Sequence, residues 1–174
     1  QNGTVGNGIL RKHSRTGRHF DIQAACTMKK QKLNHFLKHG SLKTARIGMS
    51  RKAFKKQNLK RGKKHFFNDC NPSAGFSYFL GGFEIGFYRN KIAYLSADLH
   101  RAKYFVGKTR IRPDSPLPHF LRALSAAGIA WQLQAHRFEP QCCEILTEGG
   151  ILAVYEFAAD SGYFGKLVAV RQPF

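Results

Sequence analysis

A chain of 174 residues, 43% of them hydrophobic, can bury the core of one domain or two small ones, so a wholly disordered protein is excluded. The formal net charge of +19 is concentrated in residues 1–68, which carry eighteen Lys or Arg and a single acid. A surface of this kind attracts polyanions such as nucleic acid, acidic protein or anionic lipid. No apolar run reaches the roughly 20 residues of a membrane span.

The first segment, residues 1–27, scatters Gly, Asn, Ser and Thr without a period. We expect a poorly ordered basic leader there, with Met28 as a candidate natural start. Residues 28–174 are predicted to form a single α+β domain with two candidate sub-units, residues 28–112 and 113–174. The leader has no apolar region typical of a signal peptide, which favours a cytoplasmic location.

A short amphipathic helix is predicted after Met28. Its apolar residues recur at helical spacing, and they are Leu33, Phe36 and Leu37. Gly40 would end this helix. In the link that follows, Leu42 and Ile47 are expected to point inward.

The stretch 51–67 holds eight Lys or Arg and no acid. Ser50 can cap a helix over residues 51–60, of which Phe54 is the main apolar residue. Two interpretations stay open: contact with the phosphates of a polyanion, or the solvated face of a packed helix with Phe66 and Phe67 entering the core. The polyanion-binding hypothesis rests on Lys52, Lys55, Lys56, Lys60, Arg61, Lys63 and Lys64.

Residues 76–98 alternate as strands, with a turn at the Gly-Gly pair of "LGGF" and a tight turn around residues 89–91. The first strands are dense in aromatic residues. Either both of their faces are covered, or one is an exposed patch that awaits a partner. In the second case Phe76, Tyr78 and Tyr88 would be the anchors of a protein interface.

The clearest helix follows "DSP". Ser115 can cap it, Pro116 begins its first turn, and Gly128 would end it. Its apolar stripe has the spacing i, i+3, i+4, i+7 and consists of Leu117, Phe120, Leu121 and Leu124. A strand "IAWQL", a hairpin turning at residues 148–150 and a last strand "YFGKLVAV" complete the chain.

This order of elements predicts an α+β fold: an antiparallel sheet of hairpins with about three short helices packed on one face. A helix followed by antiparallel strands occurs twice, near residues 50–97 and 116–157. The chain is therefore a candidate for two helix–hairpin units.

Residues 36–54 and 81–95 carry a family likeness. "GMSR" at a helix start, followed by the strand "GGFEIGF", resembles small uncharacterised bacterial immunity-protein-like proteins of toxin–antitoxin and polymorphic-toxin neighbourhoods. The helix–hairpin unit is also similar to β-lactamase-inhibitor-like domains. The resemblance covers roughly residues 30–157 and implies a binding module without catalytic residues. The lysines after Arg51 depart from the acidic and apolar family pattern, which points to an acidic partner.

The other candidate metal-binding and catalytic residues in the sequence do not form a typical site. Cys142, Cys143 and His136 lack the spacing of a zinc site, so we expect small buried thiols and no metal. The four cysteines, Cys26, Cys70, Cys142 and Cys143, are expected to be free. Glu84 and Asp98 would have to meet in a cleft to act as a catalytic pair, and an ion pair with a neighbouring Lys is the favoured alternative.

We therefore expect a non-enzymatic protein-binding module, immunity- or inhibitor-like, that blocks a partner's site sterically. The partner would be a protein, such as an acidic toxin or enzyme, and no cofactor is predicted. The alternative is a basic nucleic-acid-binding protein without sequence specificity.

Overall fold

The computed structural model describes residues 30–57, 64–68, 75–136, 139–158 and 161–170. Within these ranges the helices are α1 (Asn34–His39), α2 (Arg51–Gln57) and α3 (Leu117–Ala126). The strands are β1 (Lys30–Lys32), β2 (Ser41–Leu42), β3 (Ala45–Arg46), β4 (Lys64–Phe66), β5 (Phe76–Leu80), β6 (Phe83–Tyr88), β7 (Lys91–Asp98), β8 (Lys103–Val106), β9 (Thr109–Ile111), β10 (Trp131–Ala135), β11 (Cys142–Thr147), β12 (Ile151–Ala158) and β13 (Ser161–Val170).

The expected α+β class, with mostly antiparallel strands and about three short helices, is confirmed. One cluster of buried apolar side chains extends from Leu33 to Ala169 and includes residues of both candidate sub-units. The predicted leader, residues 1–27, lies outside the described residues, so it stays a prediction. None of the helices in the described ranges is long and apolar enough to cross a membrane.

Most of the strands belong to one eight-stranded sheet. Its order is β10-β11-β12-β13-β7-β6-β5-β4, so β10 and β4 are its two edges. All of its neighbouring pairs are antiparallel. A three-stranded sheet has the order β1-β8-β9, with β1 parallel to β8, and β2 and β3 form a short hairpin.

The large sheet consists of two units with the same order of elements. Helix α2 precedes the four strands β4 to β7, and helix α3 precedes the four strands β10 to β13. The last strands of the two units, β7 and β13, pair in the middle of the sheet, where Ala97 lies opposite Leu167. The repeat of a helix and antiparallel strands is therefore present in the topology.

Strand register sorts the side chains of the sheet onto two faces. On one face, here called the buried face, Ile85 lies opposite Leu95, and both are fully buried. On the other, the outer face, a row across three strands is formed by Glu84, Ser96 and Val168. Each helix has one buried Phe that contacts a ring of the buried face, in the pairs Phe36–Phe83, Phe54–Phe87 and Phe120–Phe164.

Helix α1 forms where the sequence predicts it. Its expected apolar residues are buried, and Gly40 ends it with a left-handed φ of 62°. The carbonyl of Leu37 accepts hydrogen bonds from the Thr147 hydroxyl (2.7 Å) and the Gly149 N–H (3.1 Å). The end of α1 is thereby fixed to the turn between β11 and β12.

Helix α3 and the hairpins also follow the pattern of the sequence. Gly128 lies beyond the end of α3 with a φ of 64°, as predicted. Ser115 does not cap the helix, because Pro116 is the N-cap residue and the Ser115 hydroxyl accepts the N–H of Arg112 instead (2.8 Å). The expected turns lie between β5 and β6, β6 and β7, and β11 and β12.

Candidate functional site

Helix α2 is anchored to the sheet by one aromatic ring. Phe54 is fully buried, stacks on Tyr78 (6.0 Å between centroids) and meets the ring of Phe87 edge-on (5.3 Å). At the start of the helix, the Ser50 hydroxyl accepts a hydrogen bond from the N–H of Ala53 (3.2 Å), which is the predicted capping role. The first part of the basic stretch is therefore a packed helix.

The turn between β6 and β7 is bound to the start of α2. Arg89 and Asn90 both have positive φ, 46° and 61°, as a type I′ hairpin turn requires. The Arg51 N–H donates to the Asn90 carbonyl (2.8 Å), and Ser50 forms an isolated antiparallel bridge with Lys91. These bonds fix the turn that carries Arg89 and Lys91 to the start of α2.

Strand β4 adds a further cation on the same side. The Nζ of Lys64 lies 3.9 Å from the ring centroid of Phe66 and 4.1 Å from that of Phe76. The guanidinium carbon of Arg51 lies 5.1 Å from the same Phe76 centroid. Cation–π attraction offsets only part of the repulsion between two neighbouring cations, so an anion beside them would be stabilised.

We call this set of cations the α2 basic surface. Its members are Arg51, Lys52, Lys55, Lys56, Lys64, Arg89 and Lys91. In the described part of the chain, the ion pairs within 4.0 Å are Arg101–Asp98, His136–Glu144 and Lys166–Glu84, so no cation of this surface has a carboxylate partner there.

The α2 basic surface contains a depression of about 360 Å³ beside the turn between β6 and β7. It is lined by Ser50, Arg51, Lys52, Lys55 and Asn90. Within the described residues, the Nε of Arg51 is buried without a hydrogen-bond partner. The depression can accommodate an anionic group, and none of the described residues that line it is an acid.

Three aromatic side chains at this end of the sheet are exposed: Phe66 and Tyr88, which each contact a cation of the α2 basic surface, and Phe67, which lies on the outer face. The guanidinium carbon of Arg89 lies 5.2 Å from the ring centroid of Tyr88, and Phe67 stacks on Tyr94 (5.9 Å). The interpretation in which Phe66 and Phe67 enter the core is therefore wrong. Exposed rings among cations can stack on nucleic-acid bases.

The structure describes four of the seven predicted polyanion-binding residues. Lys52, Lys55 and Lys56 lie on α2, and Lys64 lies on β4. The other three, Lys60, Arg61 and Lys63, lie outside the described residues.

Arg89 and Lys91 belong to the α2 basic surface but were not among the polyanion-binding residues predicted from the sequence. The sequence did predict their tight turn, but not its attachment to α2, because that attachment joins residues about forty positions apart along the chain.

Two of the three predicted interface anchors are in the core. Phe76 and Tyr78 are only 7% and 5% exposed, whereas Tyr88 is 47% exposed. The register of β5 places Phe76 opposite Phe87 on the buried face, where Phe54 of α2 also packs. The prediction that Phe76 and Tyr78 are surface anchors is therefore wrong. Of the three residues, Tyr88 alone is available to a partner.

A polar cluster lies on the outer face around Glu84, which is nearly buried. Its carboxylate accepts hydrogen bonds from the hydroxyls of Tyr94 (2.7 Å) and Ser96 (3.4 Å) and from the Nζ of Lys166 (3.0 Å). The favoured interpretation, an ion pair with a Lys, is confirmed for Glu84. Asp98 binds Arg101 instead (3.3 Å), so the two carboxylates have separate partners.

Hydrogen bonding decides the charge state of Glu84. Burial opposes ionisation, but hydrogen bonds from Tyr94 and Lys166, and the charge of Lys166, outweigh it, so the pKa of Glu84 lies below its ordinary value of 4.5. Burial and the hydrogen bond to Glu84 raise the pKa of Tyr94. Glu84 is thus an anion and Tyr94 a neutral donor at neutral pH, an arrangement that holds three strands together.

Cys142 and Cys143 are free, buried thiols at the start of β11, as expected. Cys26 and Cys70 lie outside the described residues. Burial raises the pKa of Cys143, which keeps its thiol protonated. No group of three or more His, Cys, Asp or Glu in the described ranges is arranged to hold a metal ion.

Comparison of the chain with protein-family models, with curated proteins and with solved structures gives no match. The resemblance to immunity-protein-like families therefore has no support from these comparisons and stays a prediction.

Proposed function

We propose that this protein binds nucleic acid through the α2 basic surface, without sequence specificity. The observation that supports the proposal most strongly is the clustering of Lys and Arg from α2, β4 and the β6–β7 turn with no carboxylate partner among the described residues. Lysines and arginines that meet phosphates release condensed counterions, which gives affinity that is independent of base sequence.

The exposed rings favour single strands over duplexes. Phe66 and Tyr88 each lie against a cation, and an unpaired base can stack on such a ring while its phosphate contacts a neighbouring cation. Duplex DNA keeps its bases stacked inside the helix and would meet only the cations. We therefore expect tighter binding to a single strand than to a duplex of the same length.

The test is fluorescence anisotropy with a labelled single-stranded oligonucleotide at low salt. The double variant Lys52→Glu, Lys55→Glu should lose most of the binding. The matched control, Lys108→Glu with Arg122→Glu, makes the same change in net charge at exposed positions of the β8–β9 turn and α3, and it should bind nearly as well as the wild type. Equal losses in both double variants would show that only net charge matters and would refute this site.

A second candidate function is the protein-binding module, in which the outer face of the sheet covers a partner's site. We propose that the three helices pack on the buried face, as the three helix–strand ring contacts support, and that a partner meets the exposed side chains of the outer face. Tyr88 and Tyr163 are exposed, and register places both on the outer face. The basic surface would steer an acidic partner toward it.

This second function is tested by co-expression with the product of the neighbouring open reading frame. A complex that is weakened much more by Tyr163→Glu than by the paired charge reversal at Lys52 and Lys55 would support protein binding. A chain that binds oligonucleotides and forms no such complex would leave nucleic-acid binding as the function.

A further inference from the structure

Strand β10 is an unusual sheet edge. All five of its residues are exposed, and in the described part of the chain its one neighbour is β11. Its sequence, "WQLQA", carries no charge, and Leu133 is 50% exposed. Proteins commonly protect an edge strand with Lys, Pro, a bulge or short length, because unpaired backbone groups recruit another strand. The opposite edge, β4, has three residues and includes Lys64, whereas β10 has none of these protections.

The backbone of β10 shows which groups are left at the edge. The Glu148 N–H donates to the carbonyl of Ala130 (2.9 Å), and the His136 N–H donates to the carbonyl of Cys142 (3.3 Å). In an antiparallel pair, alternate residues direct both backbone groups to the same neighbour. The even-numbered residues of β10 therefore bond to β11, and the odd-numbered Trp131, Leu133 and Ala135 direct their N–H and C=O groups outward.

We propose that β10 pairs with β10 of a second copy of this chain, antiparallel about a two-fold axis at Leu133. Leu133 then lies opposite itself, and Trp131 lies opposite Ala135 of the second copy. All three residues have outward backbone groups, so this register forms about six new hydrogen bonds. The large Trp ring meets a small Ala, so the apolar side chains fit without crowding.

The distribution of charge favours a second copy as the occupant. A chain with a net charge of +19 repels its own copies, but the α2 basic surface lies at the β4 end of the sheet, opposite β10. Pairing through β10 places the two β4 edges about 70 Å apart, at roughly 4.8 Å per strand. This separation is many times the screening length of about 8–10 Å at physiological salt.

The uncharged β10 edge also disfavours a charged partner. The acids nearest to it include Glu144 and Glu148, on β11 and in the turn that follows, so an acidic strand would be repelled. The contact is small, and the dimer should therefore dissociate in the micromolar range. This inference is independent of the proposed nucleic-acid binding.

Sedimentation velocity of the full chain over a range of micromolar concentrations tests the proposal. The wild type should approach twice the 19.7 kDa mass of one chain as the concentration rises. Leu133→Lys places two like charges opposite each other and should give a monomer at every concentration. Tyr88→Lys, the same change of an exposed apolar residue at the other end of the sheet, should dimerise like the wild type, and circular dichroism should show both variants folded.

A cross-linking variant keeps the test decisive if Leu133→Lys fails to fold. Under mild oxidation, Leu133→Cys should give a disulfide-linked dimer in higher yield than the wild type, because residue 133 lies on the two-fold axis. Tyr88→Cys should give no such increase. A wild type that stays monomeric, a dimer unaffected by Leu133→Lys, or equal cross-linking of the two Cys variants would each overturn the proposal.

Discussion

Arg51 and Lys64 lie over the same aromatic ring, that of Phe76, at 5.1 Å and 4.1 Å from its centroid. One cation comes from α2 and the other from β4, so the packing of the helix on the sheet brings them together. The described residues contain no carboxylate that pairs with either. A phosphate near this pair would lower the repulsion between them, which connects the fold of this end of the sheet to the proposed ligand.

Replacement of Tyr88 tests the stacking part of the proposal. Tyr88→Ala should weaken single-strand binding about tenfold, because stacking of one base on an aromatic ring contributes about 1–3 kcal/mol. Tyr88→Phe keeps the ring and should bind like the wild type. Anisotropy titration of the three proteins gives the comparison, and wild-type affinity in Tyr88→Ala would show that this ring makes no base contact.

Phe54 should dominate the stability of the α2 region. Phe54→Ala removes a fully buried ring that packs on Tyr78 and Phe87, and it should lower the free energy of unfolding by about 3–5 kcal/mol. Lys56→Ala, an exposed change on the same helix, should change it by no more than about 0.5 kcal/mol. Urea unfolding measures both. Similar stability of the two variants would mean that α2 is not anchored by this ring.

Glu84 should make the protein sensitive to acid. Its pKa is lower in the folded chain than the ordinary value of 4.5, so its stabilising contribution is complete above that value and is lost as the pH falls through the folded pKa. Glu84→Gln should therefore show a shallower loss of stability on acidification below 4.5 than the wild type. Lys166→Met keeps the carboxylate but removes a group that lowers its pKa, so the folded pKa moves back toward the ordinary value and the loss of stability on acidification should also be shallower than in the wild type.

Urea unfolding at a series of pH values compares these three proteins. A wild type and a Glu84→Gln variant with the same dependence on pH would contradict this role of Glu84.

The contact between α1 and the turn after β11 leaves no room for a side chain at Gly149. A Cβ there would lie 2.6 Å from both the Leu37 carbonyl oxygen and the Gly40 nitrogen. Gly149→Ala should lower the free energy of unfolding by about 1–3 kcal/mol. Gly165→Ala is the matched control, since a Cβ there meets no heavy atom within 4 Å. Thermal unfolding of both checks the prediction, and a harmless Gly149→Ala would show that the two segments are not in close contact.

Local patterns predicted the elements whose signals lie close together in the chain. Helix α1 ends at Gly40, and the type I′ turn at Arg89 and Asn90 joins two alternating strands. The three-stranded sheet was not predicted, because β1 pairs with β8 about seventy residues further along the chain and each strand is short. Pairing at that distance leaves no periodic signal in either segment.

The candidate site was predictable only in part, for a similar reason. The lack of acids identified Lys52, Lys55 and Lys56, but Arg89 joined them through a bridge between distant residues. Aromatic density alone does not show which ring a helix will cover. Phe76 and Tyr78 were therefore expected on the surface as anchors, whereas Phe54 of α2 packs beside them in the core.

The salt dependence of oligonucleotide binding tests the central claim most directly. For the wild type, the logarithm of the association constant should fall linearly with the logarithm of the salt concentration, by about 0.7 for each phosphate contacted in a single strand. Lys52→Glu should lower this slope by about 0.7 or more, and Arg122→Glu should leave it unchanged. A slope near zero, or a slope that Lys52→Glu and Arg122→Glu reduce equally, would contradict binding through the α2 basic surface.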